Sequence, residues 1–312
     1  MDHALIERLA QQLPALDLQR PLDQQAQRYA GYYGIDFSER ASQHLGQVDA
    51  GHGSLAVQVW RPPQARGTLI ILHGYFDHMG LYRHLIEWAL GRRLAVLAFD
   101  LPGHGLSSGA RASIDCFSEY QQALDVVLRE AALWQLPAPW HLLGQSTGGA
   151  ILVDRLLHGS LPEQWAQTVL MAPLVRPRQW GWSRMGLKVL GHFTRQLERR
   201  FTDNSGDQAF LQFIREQDPL QSRVLPVAWL RALEQWIPRI EMAGAVAHAP
   251  LVVQGEQDGT VDWHYNLQVL ESKFAGIESF LLPQARHHLV NEQDSLRGHY
   301  LQWLEDKLQL RD

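Results

Sequence analysis

Trp140-His141-Leu142-Leu143-Gly144-Gln145-Ser146-Thr147-Gly148-Gly149-Ala150-Ile151-Leu152-Val153 reads as an apolar strand, a sharp turn and the start of a helix. A hydroxyl stands at the tip of the turn, between Gly144 and Gly148. Glycine suits both places because a strained strand-to-helix turn leaves no room for side chains. The helix that follows aims its N-terminal N–H groups and its dipole at the point where an oxyanion would form. The pattern points to a nucleophilic serine only in this context, because G-x-S-x-G recurs at Gly105-Leu106-Ser107-Ser108-Gly109. There Pro102-Gly103-His104 cuts off the upstream strand and no apolar helix follows, so Ser107 reads as a loop residue.

Outward from the turn, residues 68–72 and 94–99 are continuous apolar runs, as strands buried on both faces should be. Residues 54–60 alternate and also read as a strand, as do 167–174, 250–254 and 279–282. Between them lie helical stretches at 81–90 and 263–274, and a closing helix capped near Asp294. Asp115 is placed to cap a helix whose stripe is Phe117, Tyr120, Leu124, Val127, Leu128 and Ala131, with Cys116 reading as a packed small residue at its start. This alternation predicts an α/β fold, a doubly wound, mostly parallel sheet with helices on both faces. Residues 175–247 break the rhythm. They show helical periodicity at Met185, Leu187, Leu190, Phe193 and Leu197 and no good strand. The expected organisation is therefore a core of 1–174 and 248–312 with a helical insertion at 175–247. Residues 1–45 form a helical extension in which Leu5, Ile6, Leu9 and Leu13 recur at helical spacing. Packing on the domain is its expected role, and an interfacial membrane helix is the competing one.

The bulk numbers fit one soluble domain. Of 312 residues 46% are hydrophobic and 20% charged, and the net charge of −5 makes nucleic acid a poor partner. Cys116 is the only cysteine, which excludes an intrachain disulfide and fits a reducing, cytoplasmic setting. No signal-like apolar core is seen near Glu7, and no run approaches a membrane span. The histidines show no metal-ligand spacing, so no metal is expected.

A serine hydroxyl needs a base to take its proton and a carboxylate to orient that base. In a doubly wound sheet such groups collect at the C-terminal ends of strands. After 250–254 comes Glu256-Gln257-Asp258-Gly259-Thr260-Val261-Asp262, and after 279–282 comes Ala285-Arg286-His287-His288. Asp258 is the expected acid, since Glu256 is still close to the strand and Asp262 reads as a helix cap. His287 and His288 both qualify as the base. The expected oxyanion donors are the N–H of Thr147 and, from the loop His73-Gly74-Tyr75-Phe76-Asp77-His78, the N–H of Tyr75. Gly74 lets that backbone approach, and His73 reads as structural because it precedes the serine.

Taken together, His73-Gly74 through His78, Gly80 to Tyr82, Asp100-Leu101-Pro102-Gly103-His104-Gly105, the turn at Ser146, Asp218-Pro219-Leu220, Asp258 and Ala285-Arg286-His287 resemble one family. It is the monoacylglycerol lipase and lysophospholipase branch of the α/β-hydrolases, also described as serine aminopeptidase-like. The resemblance runs from about residue 45 to the end. It implies that Ser146, Asp258 and His287 are nucleophile, acid and base, that Tyr75 and Thr147 hold the oxyanion, and that the insertion caps an acyl pocket. Asp77, Met79, Gln145 and His288 depart from the usual glutamate, serine, histidine and glutamate.

Gly74, Phe76, Trp180 and Trp182 are the candidate substrate-binding residues. Residues 175–200 carry Arg176, Arg178, Arg184, Lys188, Arg195, Arg199 and Arg200 against Glu198 alone. Such a segment suits transient contact with a lipid surface, peripheral to a membrane, or it is a solvated face with the two tryptophans packed inward. The expected activity is hydrolysis of a small-molecule lipid ester, a monoacylglycerol or lysophospholipid, through an acyl-enzyme and with no cofactor. A thioester, amide or peptide substrate uses the same groups, and a non-catalytic ligand-binding fold is the reading from another class. The sequence sets no assembly state.

Overall fold

The computed structural model describes residues 3–51, 53–190 and 193–310. Its strands are β1 Ser42–Asp49, β2 Ser54–Arg61, β3 Thr68–Leu72, β4 Ala95–Phe99, β5 Trp140–Gln145, β6 Trp165–Met171, β7 Gln196–Glu198, β8 Val224–Pro226, β9 Leu251–Gly255 and β10 Glu278–Leu282. Eight of them make one sheet in the order β1-β2-β4-β3-β5-β6-β9-β10. β2 runs antiparallel to β1 and β4, and every other pairing in that sheet is parallel.

The apolar runs explain the layers. Every residue of β3, β4, β5 and β9 is buried. Alternate side chains serve opposite cores: Leu69, Ile71, Val96 and Ala98 face one layer, and Ile70, Leu72, Leu97 and Phe99 the other. The first layer is covered by helices His3–Gln12, Gln24–Tyr33, Arg83–Gly91 and Asp294–Lys307. The second is covered by Ser118–Leu133, Thr147–His158, Val227–Glu241 and Trp263–Lys273. The doubly wound, mostly parallel architecture expected from the sequence is thus present.

Several local expectations change. β1 was not expected. Its Gln43, Gly46 and Gln47 dilute the apolar signal, yet it pairs with β2 over all eight residues at the sheet edge. Ile6, Leu9 and Leu13 are each 3% exposed, so the first helix packs on the core and the interfacial alternative fails. The stretch 175–247 does contain strands: β7 and β8 pair antiparallel. Leu197 lies on β7, and Met185 and Phe193 are exposed, so the expected stripe is not one helix face. The side chains of Lys188 and Leu190 lie outside the described residues. Asp115 does not cap the helix Ser118–Leu133. Glu119 Oε1 instead accepts from the N–H groups of Asp115 and Cys116, at 2.7 and 3.1 Å. Cys116 is exposed rather than packed. Asp262 stands before the helix Trp263–Lys273 without a side-chain capping bond.

One buried carboxylate ties three distant segments together. Asp218 Oδ2 is 3.0 Å from His78 Nε2, and its Oδ1 accepts from the Tyr33 hydroxyl at 2.8 Å. Both side chains of the Asp218–His78 pair are fully buried. Burial pushes the Asp218 carboxyl up, but His78 and the hydrogen bonds of Gln221 and Tyr33 outweigh it and hold it below its ordinary value. Burial pulls His78 down, but Asp218, Asp100 and Asp77 outweigh it and raise it. Asp218 thus contributes stability above about pH 4 that is lost as pH falls through its folded-state pKa. His78 contributes stability below about pH 6.5 that is lost as pH rises through its own. Asp218→Asn is expected to remove about 3 kcal/mol of unfolding free energy. Urea unfolding across pH should show the gap from wild type widest between about pH 4 and 6.5; a gap that ignores pH would contradict this account.

Candidate active site

β5 ends at Gln145, and Ser146 takes φ 53° and ψ −109° before the helix Thr147–His158 begins. A non-glycine residue in that region stores roughly 1–3 kcal/mol of strain. It is held by backbone bonds on both sides: Ser146 N–H donates to Met171 O at 2.8 Å, and Ser146 O accepts from Ala150 N–H at 2.9 Å and Leu174 N–H at 3.2 Å. Gly148 is required here. A Cβ on it would run into the Leu72 carbonyl at the end of β3.

Ser146, Asp258 and His287 follow β5, β9 and β10, and the sheet brings them together. Ser146 Oγ is 2.9 Å from His287 Nε2, and His287 Nδ1 is 2.7 Å from Asp258 Oδ2. A carboxylate only accepts, so Nδ1 carries the proton and Nε2 is free to accept from the serine. Asp258 is fixed in turn: Oδ1 accepts from the N–H groups of Thr260 and Val261 at 2.8 and 3.1 Å, and Oδ2 from Gln254 Nε2 at 3.2 Å. Burial alone would raise its pKa, but His287 and the two backbone donors outweigh it and lower it, keeping the acid ionised. Glu256 and Asp262 are exposed. Gln145, marked in the sequence only as a departure from the usual histidine, donates from Nε2 to His287 O at 2.9 Å and so steadies the histidine backbone.

His288 turns elsewhere, with Nε2 3.1 Å from Asp77 Oδ2. His73 is structural: Nε2 accepts from Leu101 N–H at 2.9 Å, and Nδ1 donates to Gly74 O at 2.7 Å. Burial, reinforced by His104, lowers its pKa to about 3, so it stays neutral and does not titrate near neutral pH. Ser107 is likewise structural, donating to Asp100 O at 2.6 Å and accepting from Ala56 N–H at 2.9 Å. Asp100 holds two loops, its oxygens accepting from Met79 N–H and Leu106 N–H, each at 2.7 Å.

Thr147 opens its helix, so its N–H has no carbonyl one turn back. The Tyr75 N–H makes no hydrogen bond among the described residues. Both residues line a cavity of about 620 Å³, together with Ser146 and His287. Its volume is that of a small-molecule site. Gly74, Phe76 and Trp180 also line it. Trp182 does not, and is 73% exposed. Two residues apart on the helix Trp180–Leu190, the two indoles point about 200° apart, so only one can face inward. Trp229, not singled out in the sequence, forms another wall and stacks on Tyr75 with ring centres 3.7 Å apart.

Gly148→Ala is expected to destabilise the fold by about 2 kcal/mol, since the obstructing atoms are backbone and cannot swing away. Chemical denaturation gives this directly, and a change within 0.5 kcal/mol would be the ordinary outcome only for an unconstrained surface site.

Comparison with known proteins agrees with this architecture. The family described as serine aminopeptidase, S33, matches residues 63–294. The monoacylglycerol lipase of Mycolicibacterium smegmatis is 29% identical over 220 residues, which are 67% of this chain and 77% of that protein. The monoglyceride lipase of Mus musculus is 27% identical over 263 residues, 80% of this chain and 84% of that protein. A solved structure, a soluble variant of monoglyceride lipase from Saccharomyces cerevisiae with a substrate analog, has a TM-score of 0.72 at 15% identity. It covers 86% of this chain and 95% of its own, a likeness of fold. The chain belongs to the serine aminopeptidase, S33, family and has the α/β-hydrolase fold.

Proposed function

We propose that the protein hydrolyses carboxylic esters of lipid type, monoacylglycerols or lysophospholipids, through an acyl-enzyme on Ser146. The observation that carries the reading is the unbroken line from Ser146 Oγ through His287 to Asp258, at 2.9 and 2.7 Å, opening on a cavity whose lining includes Leu174, Trp180, Ile214, Leu225 and Trp229. His287 Nε2 takes the hydroxyl proton as Oγ attacks the ester carbonyl, and Asp258 steadies the imidazolium that results. The N–H groups of Tyr75 and Thr147 receive the oxyanion. His287 returns the proton to the departing alcohol. It then takes one from water, whose oxygen attacks the acyl carbon and frees the acid and Ser146. The relatives named monoacylglycerol and monoglyceride lipase support the choice of lipid esters.

In this reading residues 175–247 are the cap over the acyl pocket. No helix among the described residues is long and apolar enough to cross a membrane. The cap nonetheless exposes Trp182, Met185 and Phe193, at 73%, 54% and 86%, on a segment that also carries exposed Arg178 and Arg184. This is the surface proposed to touch lipid. Its binding to anionic vesicles should weaken as salt rises and should be absent from neutral ones.

Ser146→Ala should lower ester turnover by about a million-fold and Asp258→Asn by about ten-thousand-fold, as such deletions do in other serine hydrolases. A fluorophosphonate probe should label wild type at Ser146 alone. Wild-type-like hydrolysis by Ser146→Ala, or no adduct on the native protein, would refute the mechanism.

A further inference from the structure

The cavity wall has a charge pattern that ester hydrolysis alone does not need. Among the described residues it carries three arginines, Arg178, Arg199 and Arg200, and one carboxylate, Asp77. That carboxylate is already engaged, lying 3.1 Å from His288 Nε2 and accepting from the Tyr82 hydroxyl at 3.2 Å. None of the three arginines forms an ion pair among the described residues. Arg178 and Arg200 are exposed, but Arg199 is not.

Arg199 is held as a fixed donor. Its guanidinium lies 4.0 Å from the centre of the Phe76 ring and 4.2 Å from that of Phe201. Nη1 donates to Gln221 Oε1 at 2.6 Å and to Ser222 O at 3.1 Å. Gln221 is itself fixed, donating to Asp218 Oδ2 at 2.8 Å. Nε and Nη2 donate to nothing among the described residues. Burial lowers the pKa to about 10, with Asp77 opposing and Arg223 adding to the shift, so the group remains charged at neutral pH. A partly desolvated guanidinium with two idle donors and no ion pair among the described residues favours an oxyanion, and its immobility lowers the ordering cost of binding one. Its position matters as well. Phe76 follows Tyr75, so an anion on Arg199 sits beside the loop that receives the reacting carbonyl oxygen.

We propose that Arg199 is a specificity-determining residue and that the substrate is a lipid ester bearing a phosphate group a few bonds from its ester carbonyl. With Arg178 and Arg200 also lining the cavity, its surplus of positive charge suits a phosphate monoester better than a single-charged carboxylate. This rests on the esterase reading above and narrows it from lipid esters in general to anionic ones.

The test compares two esters of equal acyl chain, a 1-acylglycerol and its 3-phosphate, in wild type, Arg199→Met and Arg199→Lys. Wild type should favour the phosphate ester at least ten-fold in kcat/KM. Arg199→Met should reduce that ratio at least ten-fold, chiefly through KM, and Arg199→Lys should restore some of it. A structural role would lower both esters alike and leave the ratio unchanged, which would overturn the proposal, as would equal use of both by wild type. Binding gives a readout independent of turnover. In Ser146→Ala, dodecyl phosphate should bind at least ten-fold more tightly than dodecanol, and adding Arg199→Met should abolish the difference. Equal binding of the two ligands would sink the anion subsite even if the esterase reading stands. Failure of both esters to turn over, with tight Arg199-dependent binding of dodecyl phosphate, would keep the subsite and refute the esterase.

Discussion

The backbone of Ser146 is the constraint on which the rest of the structure depends. At φ 53° and ψ −109° it is unfavourable for any side chain, and it persists because its surroundings leave no alternative. β5 is hydrogen-bonded on both sides, to β3 and to β6, so the chain enters the turn in a fixed register. The helix leaving the turn crosses so close to β3 that position 148 tolerates only a hydrogen. The Met171 carbonyl at the end of β6 then receives the serine N–H. Relaxing the turn would break the sheet that surrounds it.

The same sheet explains why residues far apart in the chain meet. β5, β6, β9 and β10 are consecutive neighbours and all parallel, so the loops that follow them emerge along one edge. Ser146, Asp258 and His287 need no long excursion. Short ties finish the placement: Gln254 and two backbone N–H groups hold the acid, and Gln145 holds the histidine main chain. These supports set rotamers as well as distances, as the proposed proton relay requires.

Much of this was legible in the order of residues, for identifiable reasons. Strands buried on both faces read as unbroken apolar runs, and β3 and β4 did so. Ser146 directly follows β5 and Asp258 stands three residues beyond β9, at the strand ends where topology collects reactive groups. The choice of His287 over His288 was less legible, because adjacent residues share a strand end and only three-dimensional contact separates them: one meets the serine, the other Asp77. β1 was hidden because an edge strand with Gln43, Gly46 and Gln47 has little apolar contrast. The hairpin β7–β8 was hidden because three-residue strands carry no period. Arg199 looked like one more member of a basic run. Its two flanking rings and its glutamine come from residues 76, 201 and 221, and no local pattern joins them.

The stacking of Tyr75 on Trp229 has a mechanical corollary. Tyr75 belongs to the loop proposed to receive the negative oxygen, while Trp229 lies on the helix Val227–Glu241 and lines the same cavity. The tyrosine hydroxyl is pinned at its other end to Ala112 O, 2.7 Å away. Any displacement of that helix would therefore pull the stacked rings apart, forfeiting about 1 kcal/mol beyond the surface it exposes, and would loosen the loop at Tyr75 in the same movement. The wall of the cavity and the backbone around Tyr75 are thus fastened to one another through a single pair of rings.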